Sequence, residues 1–559
     1  MPNADENSPL ISENNDLLST FHGACSNSSV NNRNQIMGRG RKSLVVICIL
    51  VTELCERLTY YGLRLNLLLF SSTELNLDPP WPSTISYLLS GTCYLVPLLA
   101  GWLADTYTGR FNMIYGSSLL YLVGTILLVP VAMGDDMIQT LFHTKATHNE
   151  TMRLIYFGLA LLMIAFSTGG IKANVSLFGA DQVKQDGQRA VQSFFKWYYF
   201  IINVGSLIAA TVVVGVQQSN VFYGYCIPAC TMFIAVIVFL AGRNHYVTKP
   251  PGGSQLTDTA KIVCEAVRNR KQNAGTWLEG AKRRYGGKFS EVEVEDVKAL
   301  LRVIAIFGLF VVYWTIFSQM QTTFLIQATF MRLEFDKFTI PAASLSVSAI
   351  VAVLVLIPIF DQVVYPLVSY CGINFTPLRR IGVGMPLASA CVIVAGVVEI
   401  QRRNAWIDGG FCIQTVFDES RNASSVNVFW QIPQFVLIGS SEVLMVVTGL
   451  EFAYSQAPQS LQGLVMGAFL FTSALGNYVA NVLVIIVRAA SKSDWYPSED
   501  PNQGHMEYFY FLLSGLMLIN FVVFLYIASS YKYKTVPKKR KEIAEDLDTG
   551  QPADGDPSV

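Results

Sequence analysis

The amino-acid sequence predicts an all-α membrane protein with twelve transmembrane helices in two bundles of six. Three observations carry this reading. Apolar residues make up 52% of the 559 and charged residues 14%, whereas soluble domains run near 25% charged. So few charges cannot cover the surface of a soluble protein of this size. The apolar residues gather in runs of about 20, the helix length that a bilayer's hydrocarbon demands. One long polar stretch, 243–298, divides these runs six and six.

Taken in order, residues 1–42 are polar, rich in Asn and Ser and without the apolar centre of a signal peptide, so they read as a disordered cytosolic tail. Spans follow at roughly 44–70, 83–104, 111–134, 153–178, 194–216 and 221–242, making 43–242 the first bundle. Within 243–298, Lys249-Pro250-Pro251-Gly252-Gly253 stops the sixth span. Residues 258–284 then carry a helical period with a basic face (Lys261, Arg268, Arg270, Lys271, Lys282, Arg283, Arg284), which suits a helix lying near anionic headgroups. The second bundle, 299–531, holds spans at roughly 300–329, 341–370, 378–400, 428–454, 462–488 and 507–531, and 532–559 is a second tail. Two helical bundles joined by a polar connection form a carrier plan, with the substrate site expected at the bundle interface. Most of the ten cysteines lie in apolar segments, and Cys226 and Cys230 read as packing, not as metal ligands.

Lys and Arg set the orientation. Arg39, Arg41, Lys42, Arg110, Lys184, Arg189, Arg379, Arg380, the 243–298 linker and Lys538-Lys539-Arg540-Lys541 fall on one side. Lys145, Arg332, Lys337, Arg402, Arg403 and Lys492 fall on the other. Both termini and the linker are therefore expected in the cytosol. The glycosylation sequons at Asn149 and Asn422 fall on the opposite side, where modification takes place. Acidic and basic residues number forty each, so no charge excess points to nucleic acid as a partner.

An ionisable group at membrane depth is costly unless it faces a cavity or a partner. The first span nevertheless reads Glu53-Leu54-Cys55-Glu56-Arg57, then Tyr60, Tyr61 and Arg64. At about 100° per residue, Glu53, Arg57, Tyr60 and Arg64 fall within roughly 60° of one another, with Glu56 on the flank. Such a stripe is expected to line water. Lys172 stands in the fourth span after Gly169-Gly170, whose missing side chains permit close helix approach, and Asn174 follows it. The tenth span carries Glu442 and Glu451, about 180° apart on a straight helix, so only the deeper Glu442 is assigned to the site. The seventh span offers Tyr313, Trp314, Gln319, Gln321 and Gln327 and no charge. All five His lie in tails or connections, so proton handling within the membrane falls to carboxylates.

These residues carry a resemblance. ELCERLTYYG (53–62), GWLADTYTGR (101–110), STGGIKANVSLFGADQ (167–182), FFKWYYFIINVGSL (194–207), GLEFAYSQAP (449–458) and GNY (476–478) resemble, in order, the motifs of the proton-coupled oligopeptide transporter family of the major facilitator superfamily. YWTIFSQMQTTF (313–324) and a short 401–427 connection are similar to its lysosomal peptide/histidine branch, solute carrier family 15. The resemblance implies the major facilitator fold and roles for matched residues. Glu53, Glu56 and Arg57 would handle the proton. Arg64 and Lys172 would hold the substrate carboxylate, and Glu442 its amino group. Tyr60, Tyr61, Asn174, Trp314 and Gln319 would complete the binding site, and Asp105 and Arg110 would form the gate between the second and third spans. Two acidic dileucine patterns, Glu6 with Leu10-Ile11 and Glu13 with Leu17-Leu18, resemble signals that sorting adaptors read on the way to endosomes and lysosomes.

The function expected is a proton symporter exporting di- and tripeptides, and histidine, from the endolysosomal lumen to the cytosol. A transporter-fold scaffold recruiting a cytosolic signalling adaptor is the alternative. No Ser-His-Asp, Cys-His or metal-ligand set is spaced for enzyme chemistry, and no cofactor is called for.

Overall fold

A computed structural model describes residues 39–133, 150–269, 277–335, 338–372, 374–416, 419–456, 461–496 and 500–531. The tail signals at Glu6, Leu10, Ile11, Glu13, Leu17 and Leu18, the sequon at Asn149, and Lys538–Lys541 lie outside the described residues. Eleven of the described helices are long and apolar enough to cross a membrane. The charged helix α1 (Arg39–Arg64) is not one of these, because its own stripe of Glu and Arg removes it from any purely apolar window.

The chain forms two compact units. The first runs to Gly253 and includes Lys337–Val347 and Thr415–Arg421. The second holds Ser254–Asp336, Ser348–Gln414 and Asn422–Val559.

In the first unit, α1 is followed by α2 (Leu67–Thr73), α3 (Trp81–Leu103), α4 (Arg110–Val131), α5 (Glu150–Val183), α6 (Gln188–Ile208), α7 (Val214–Ser219) and α8 (Val221–Ala241). The sequence suggested one span over 44–70, yet the helix breaks at Leu65-Asn66. Gln217 from α7 supplies the reason. Its amide donates to the Gly62 carbonyl that the break leaves free (2.9 Å) and accepts from Asn66 (2.8 Å). The Gly169-Gly170 pair does bring helices together. A Cβ on Gly169 would stand 2.5 Å from Val96 of α3, and one on Gly170 would strike Ser117 of α4. Gly205 of α6 likewise lets α6 close onto α1, since its Cβ would meet that of Arg57 at 2.9 Å. Cys226 is half-buried and Cys230 exposed, which corrects the packing assignment for Cys230. Its turn of α8 faces outward.

The second unit holds α9 (Gln255–Arg268), α10 (Glu291–Phe317), α11 (Thr323–Thr329), α12 (Ser346–Ile359), α13 (Tyr365–Tyr370), α14 (Pro377–Ile407), α15 (Ile432–Glu442), α16 (Thr448–Gln456), α17 (Gln462–Ser491) and α18 (Met506–Ser530). The described strands form two short ribbons, β1 (Glu334–Phe335) with β2 (Phe338–Thr339) and β3 (Phe411–Val416) with β4 (Glu419–Ser424). Helix α10 begins nine residues before the apolar run that marks the seventh span. A capping box closes its start, in which the Ser290 side chain accepts from the Glu293 backbone and Glu293 accepts in return.

The linker departs from the expected helix over 258–284. Helix α9 stops at Arg268, and among the described residues short 3-10 turns follow, at Trp277–Ala281 and Arg283–Tyr285, while Arg270 and Lys271 lie outside the described residues. Gly280, Gly286 and Gly287 explain the loss of regular helix there. Part of the basic face is also spoken for. Lys282 is buried between Glu279 (2.9 Å) and Glu295 (2.7 Å), and Lys298 pairs with the same two carboxylates. These pairs tie the linker to the start of α10.

Candidate functional site

In the first unit the charged stripe of α1 is buried, contrary to the expectation that it lines water. Glu53 is 1% exposed, Glu56 0%, Arg57 5% and Arg64 8%. The charges face one another instead. Arg57 Nε stands 3.1 Å from Glu53 Oε1, one helical turn away, and its terminal nitrogen contacts Glu56. One guanidinium thus serves two carboxylates.

The remaining cations have no such partner. Arg64 Nε donates to the Ser90 hydroxyl of α3 (3.0 Å). Lys172 Nζ, on α5, is buried without a hydrogen-bond partner among the described residues. It sits over the rings of Tyr60 (3.9 Å) and Tyr94 (4.2 Å). The guanidiniums of Arg57 and Arg64 also lie over the Tyr60 ring, at 5.4 and 5.7 Å. A π-face attracts cations, so Tyr60 gathers three of them on one side chain. Tyr61 packs edge-on against Tyr60 at 5.3 Å. Asn174, a half-turn beyond Lys172, spends its amide on the Gly170 carbonyl (2.8 Å).

Tyr94, Ser90 and Tyr198 were not found from the sequence. The Tyr198 phenol interacts with Glu53. Tyr94 and Ser90 are neutral residues in an apolar run, where packing is the default reading. Tyr198 lay within the FFKWYYF stretch, whose aromatic crowding concealed the one phenol that turns to a carboxylate.

At the unit's other end, Asp105 and Arg110 do meet, at 3.3 Å. Gly109 between them takes φ +75°, a conformation that favours glycine. Arg110 also pairs with Asp181 of α5 (2.9 Å), and Asp181 holds Lys249. The Gly253 backbone amide donates to the Asp105 carbonyl (3.1 Å). The ion pairs therefore form a four-residue network. Asp181 stood inside a quoted motif (GADQ) without being singled out.

In the second unit, Glu442 ends α15 half-buried and makes no ion pair among the described residues. The Tyr313 phenol of α10 is its neighbour and also interacts with Ser441. Glu451 is placed elsewhere, exposed and paired with Arg380 at 3.4 Å. A wide π-type turn over Val443–Val447 separates the two glutamates, so their angular distance is less than the 180° of a straight helix. Trp314 donates its indole N–H to Thr472 (3.1 Å). Gln319 is fully buried, donating to the Thr315 carbonyl (2.8 Å) and accepting from the Thr322 and Thr323 hydroxyls. In this conformation Gln319 turns its amide to the backbone and hydroxyls of its own turn. Gln321 contributes to the same tight turn, and Gln327 bonds Glu399 (2.9 Å).

A family model described as the POT family matches residues 111–502. The chain belongs to the POT family. It is 34% identical over 538 residues to Protein NRT1/PTR FAMILY 8.1 of Arabidopsis thaliana, covering 87% of this chain and 93% of that one. Solute carrier family 15 member 3 of Mus musculus is 29% identical over 526 residues, with 87% and 91% covered. The fold is similar to that of a solved auto-inhibited POT family peptide transporter, with a TM-score of 0.73 at 26% identity over 88% of this chain and 98% of that one. The POT family transporter PepTSo gives 0.72, also at 26% identity. The all-α architecture of membrane-crossing helices read from the sequence is the architecture of these POT structures.

Proposed function

We propose that this POT-family chain is a proton-coupled symporter of small peptides, with di- and tripeptides and histidine as its substrate range, carrying them from the endolysosomal lumen to the cytosol. The observation that carries the reading is a charge imbalance. The buried cluster of the first unit holds three cations (Arg57, Arg64, Lys172) against two carboxylates (Glu53, Glu56), and both carboxylates are engaged by Arg57. An uncompensated buried charge is costly. A peptide C-terminal carboxylate arriving at Arg64 and Lys172 supplies the missing anion, and the Tyr60 and Tyr94 rings hold the ammonium until it does.

Glu442 carries the opposite sign and lacks a cation, which suits the substrate's amino group. Tyr61, Asn174 and Trp314 are retained as residues that shape the binding site. The proton falls to the Glu53–Glu56 pair. Protonating one carboxylate leaves Arg57 paired with the other, so the guanidinium stays compensated while the proton is carried. Support for the endolysosomal site and lumen-to-cytosol direction comes from the two tail signals, the cytosolic orientation read from Lys and Arg, and the similarity to solute carrier family 15 member 3.

The test is uptake of a labelled dipeptide into proteoliposomes under an imposed pH gradient, with unlabelled dipeptides, tripeptides, histidine and nitrate as competitors. Competition by peptides and histidine supports the reading. Competition by nitrate alone would replace the substrate class.

A further inference from the structure

The second unit carries a cleft that the transport reading does not use. It has a volume of about 580 Å³ and is lined by Arg403, Trp406, Phe411, Asn422, Asn502 and Gln503, among others. That volume is in the range of small-molecule sites. Its position excludes lipid tails as the filler. Helix α14 has 31 residues, about 46 Å at 1.5 Å each, against a hydrocarbon layer of about 30 Å. The polar run Gln401-Arg402-Arg403-Asn404 marks where it leaves the apolar layer, and the cleft lies at that run, where Arg403 lines it, and past it at Trp406 and Phe411.

One wall is aromatic, beside the polar side chains of Arg403, Asn422, Asn502 and Gln503. Trp406 and Phe411 have ring centroids 5.8 Å apart. Phe411 is 60% exposed and Ile413, on the same strand face, 65%. Apolar surface gathered this way marks a contact site. Asn422 lies on β4, beside this strand, with its side chain exposed and making no hydrogen bond to a described residue. It begins Asn422-Ala423-Ser424, a glycosylation acceptor. The backbone beneath it is fixed. Asn502 donates to the Asn422 carbonyl (3.1 Å) and accepts from Arg402 (2.6 Å), which is locked in a fully buried pair with Glu399 (2.6 Å).

We propose that Asn422 carries an N-linked glycan and that the cleft is the seat of its first N-acetylglucosamine. Transfer forms the bond from Asn422 Nδ2 to C1 of that sugar and breaks the C1–O bond to a polyprenyl diphosphate donor. The amide proton leaves to a base of the transferring enzyme. The C–H face of the pyranose then covers Trp406 and Phe411, while Asn502, Gln503 and Arg403 meet its hydroxyl and acetamido groups.

The test uses the full-length protein carrying Asn149→Gln, which leaves Asn422 as the sequon under study. Release of the glycan by peptide N-glycosidase is followed by mobility shift, native in detergent and after denaturation. The proposal expects a shift that is several-fold slower in the native protein, with the protection lost in Trp406→Ala and Phe411→Ser and kept in Trp406→Phe. Phe411 is exposed, so its replacement leaves the core intact and carries the test even where Trp406→Ala fails to fold. Two results overturn the proposal. One is no shift after denaturation, meaning that Asn422 is unmodified. The other is an equal native release rate in the parent and Phe411→Ser, meaning that the sugar is not seated.

Discussion

Lys172→Met separates a substrate-binding ammonium from a structural one. The change keeps the length of the side chain and removes its charge. For folding, two effects oppose each other. The lysine sits 3.9 and 4.2 Å from the Tyr60 and Tyr94 rings, contacts worth about 2 kcal/mol when desolvated. It is also a buried cation with no carboxylate partner among the described residues, a cost of several kcal/mol that methionine removes. Thermal stability is therefore expected to change little or to rise. Transport behaves differently. Truncating one partner of a buried charge pair costs about 2–5 kcal/mol, and each 1.4 kcal/mol is about tenfold. Transport efficiency for a dipeptide with a free carboxylate should fall by roughly 30-fold to a few thousand-fold. The same dipeptide amidated at its C-terminus has lost the partner already, so parent and variant should transport it at similar, low rates. The assay is a double-mutant cycle, with protein charge on one axis and substrate carboxylate on the other. Equal losses for the free and the amidated peptide would show that Lys172 does not meet the carboxylate. Unchanged uptake of the free peptide would remove Lys172 from the site altogether.

Three further outcomes are expected. Gly205→Val presses on Arg57, because a Cβ there stands 2.9 Å from the Arg57 Cβ and 3.3 Å from the Leu54 carbonyl. Overpacking of this kind costs about 1–3 kcal/mol, and the variant should show a lower Tm together with weaker coupling of uptake to the pH gradient. Changing Leu10, Ile11, Leu17 and Leu18 to Ala should move the protein from lysosomes to the plasma membrane, followed by imaging; unchanged residence would place the sorting information elsewhere. Hydrogen bonds from Lys298 and Lys282 hold the Glu279 carboxyl below its ordinary value, so its contribution is present above the unfolded value near 4.3 and lost as pH falls through the lower, folded one. Hydrogen exchange over 277–285 should accordingly speed up several-fold in Glu279→Gln at neutral pH and low salt, less at high salt, and the difference from the parent should vanish in strong acid.

The spans were legible because a bilayer leaves few choices, and runs of about 20 apolar residues read the same in any context. The α1 stripe was legible for the converse reason, since charges at membrane depth have few uses. What escaped depended on contacts distant in sequence. Gln217 fixes the break after Arg64, yet it belongs to a helix about 150 residues later. The linker's basic run looked like a membrane-facing surface until Glu279 and Glu295 claimed Lys282, and no periodicity shows which acid a lysine will choose. Gln319 read as a polar group of the site, and no periodicity shows that its own turn also bonds its amide. Tyr94 and Tyr198 were hidden because a phenol reads as packing until a cation or a carboxylate is seen beside it.

The central claim is that the paired carboxylates of α1 carry the proton, and proton flux measured beside peptide flux tests it most directly. Proteoliposomes containing the full chain and an internal pH indicator should acidify when a dipeptide is added outside, and should concentrate that dipeptide only while an inward proton gradient lasts. Glu53→Gln and Glu56→Gln keep side-chain size and hydrogen-bonding shape, so each should abolish acidification and accumulation while leaving peptide counterflow without a gradient. If both variants still concentrate the peptide against its gradient, the proton travels elsewhere, with Glu442 as the next carboxylate to test, and the role assigned to the Glu53–Arg57–Glu56 cluster is contradicted.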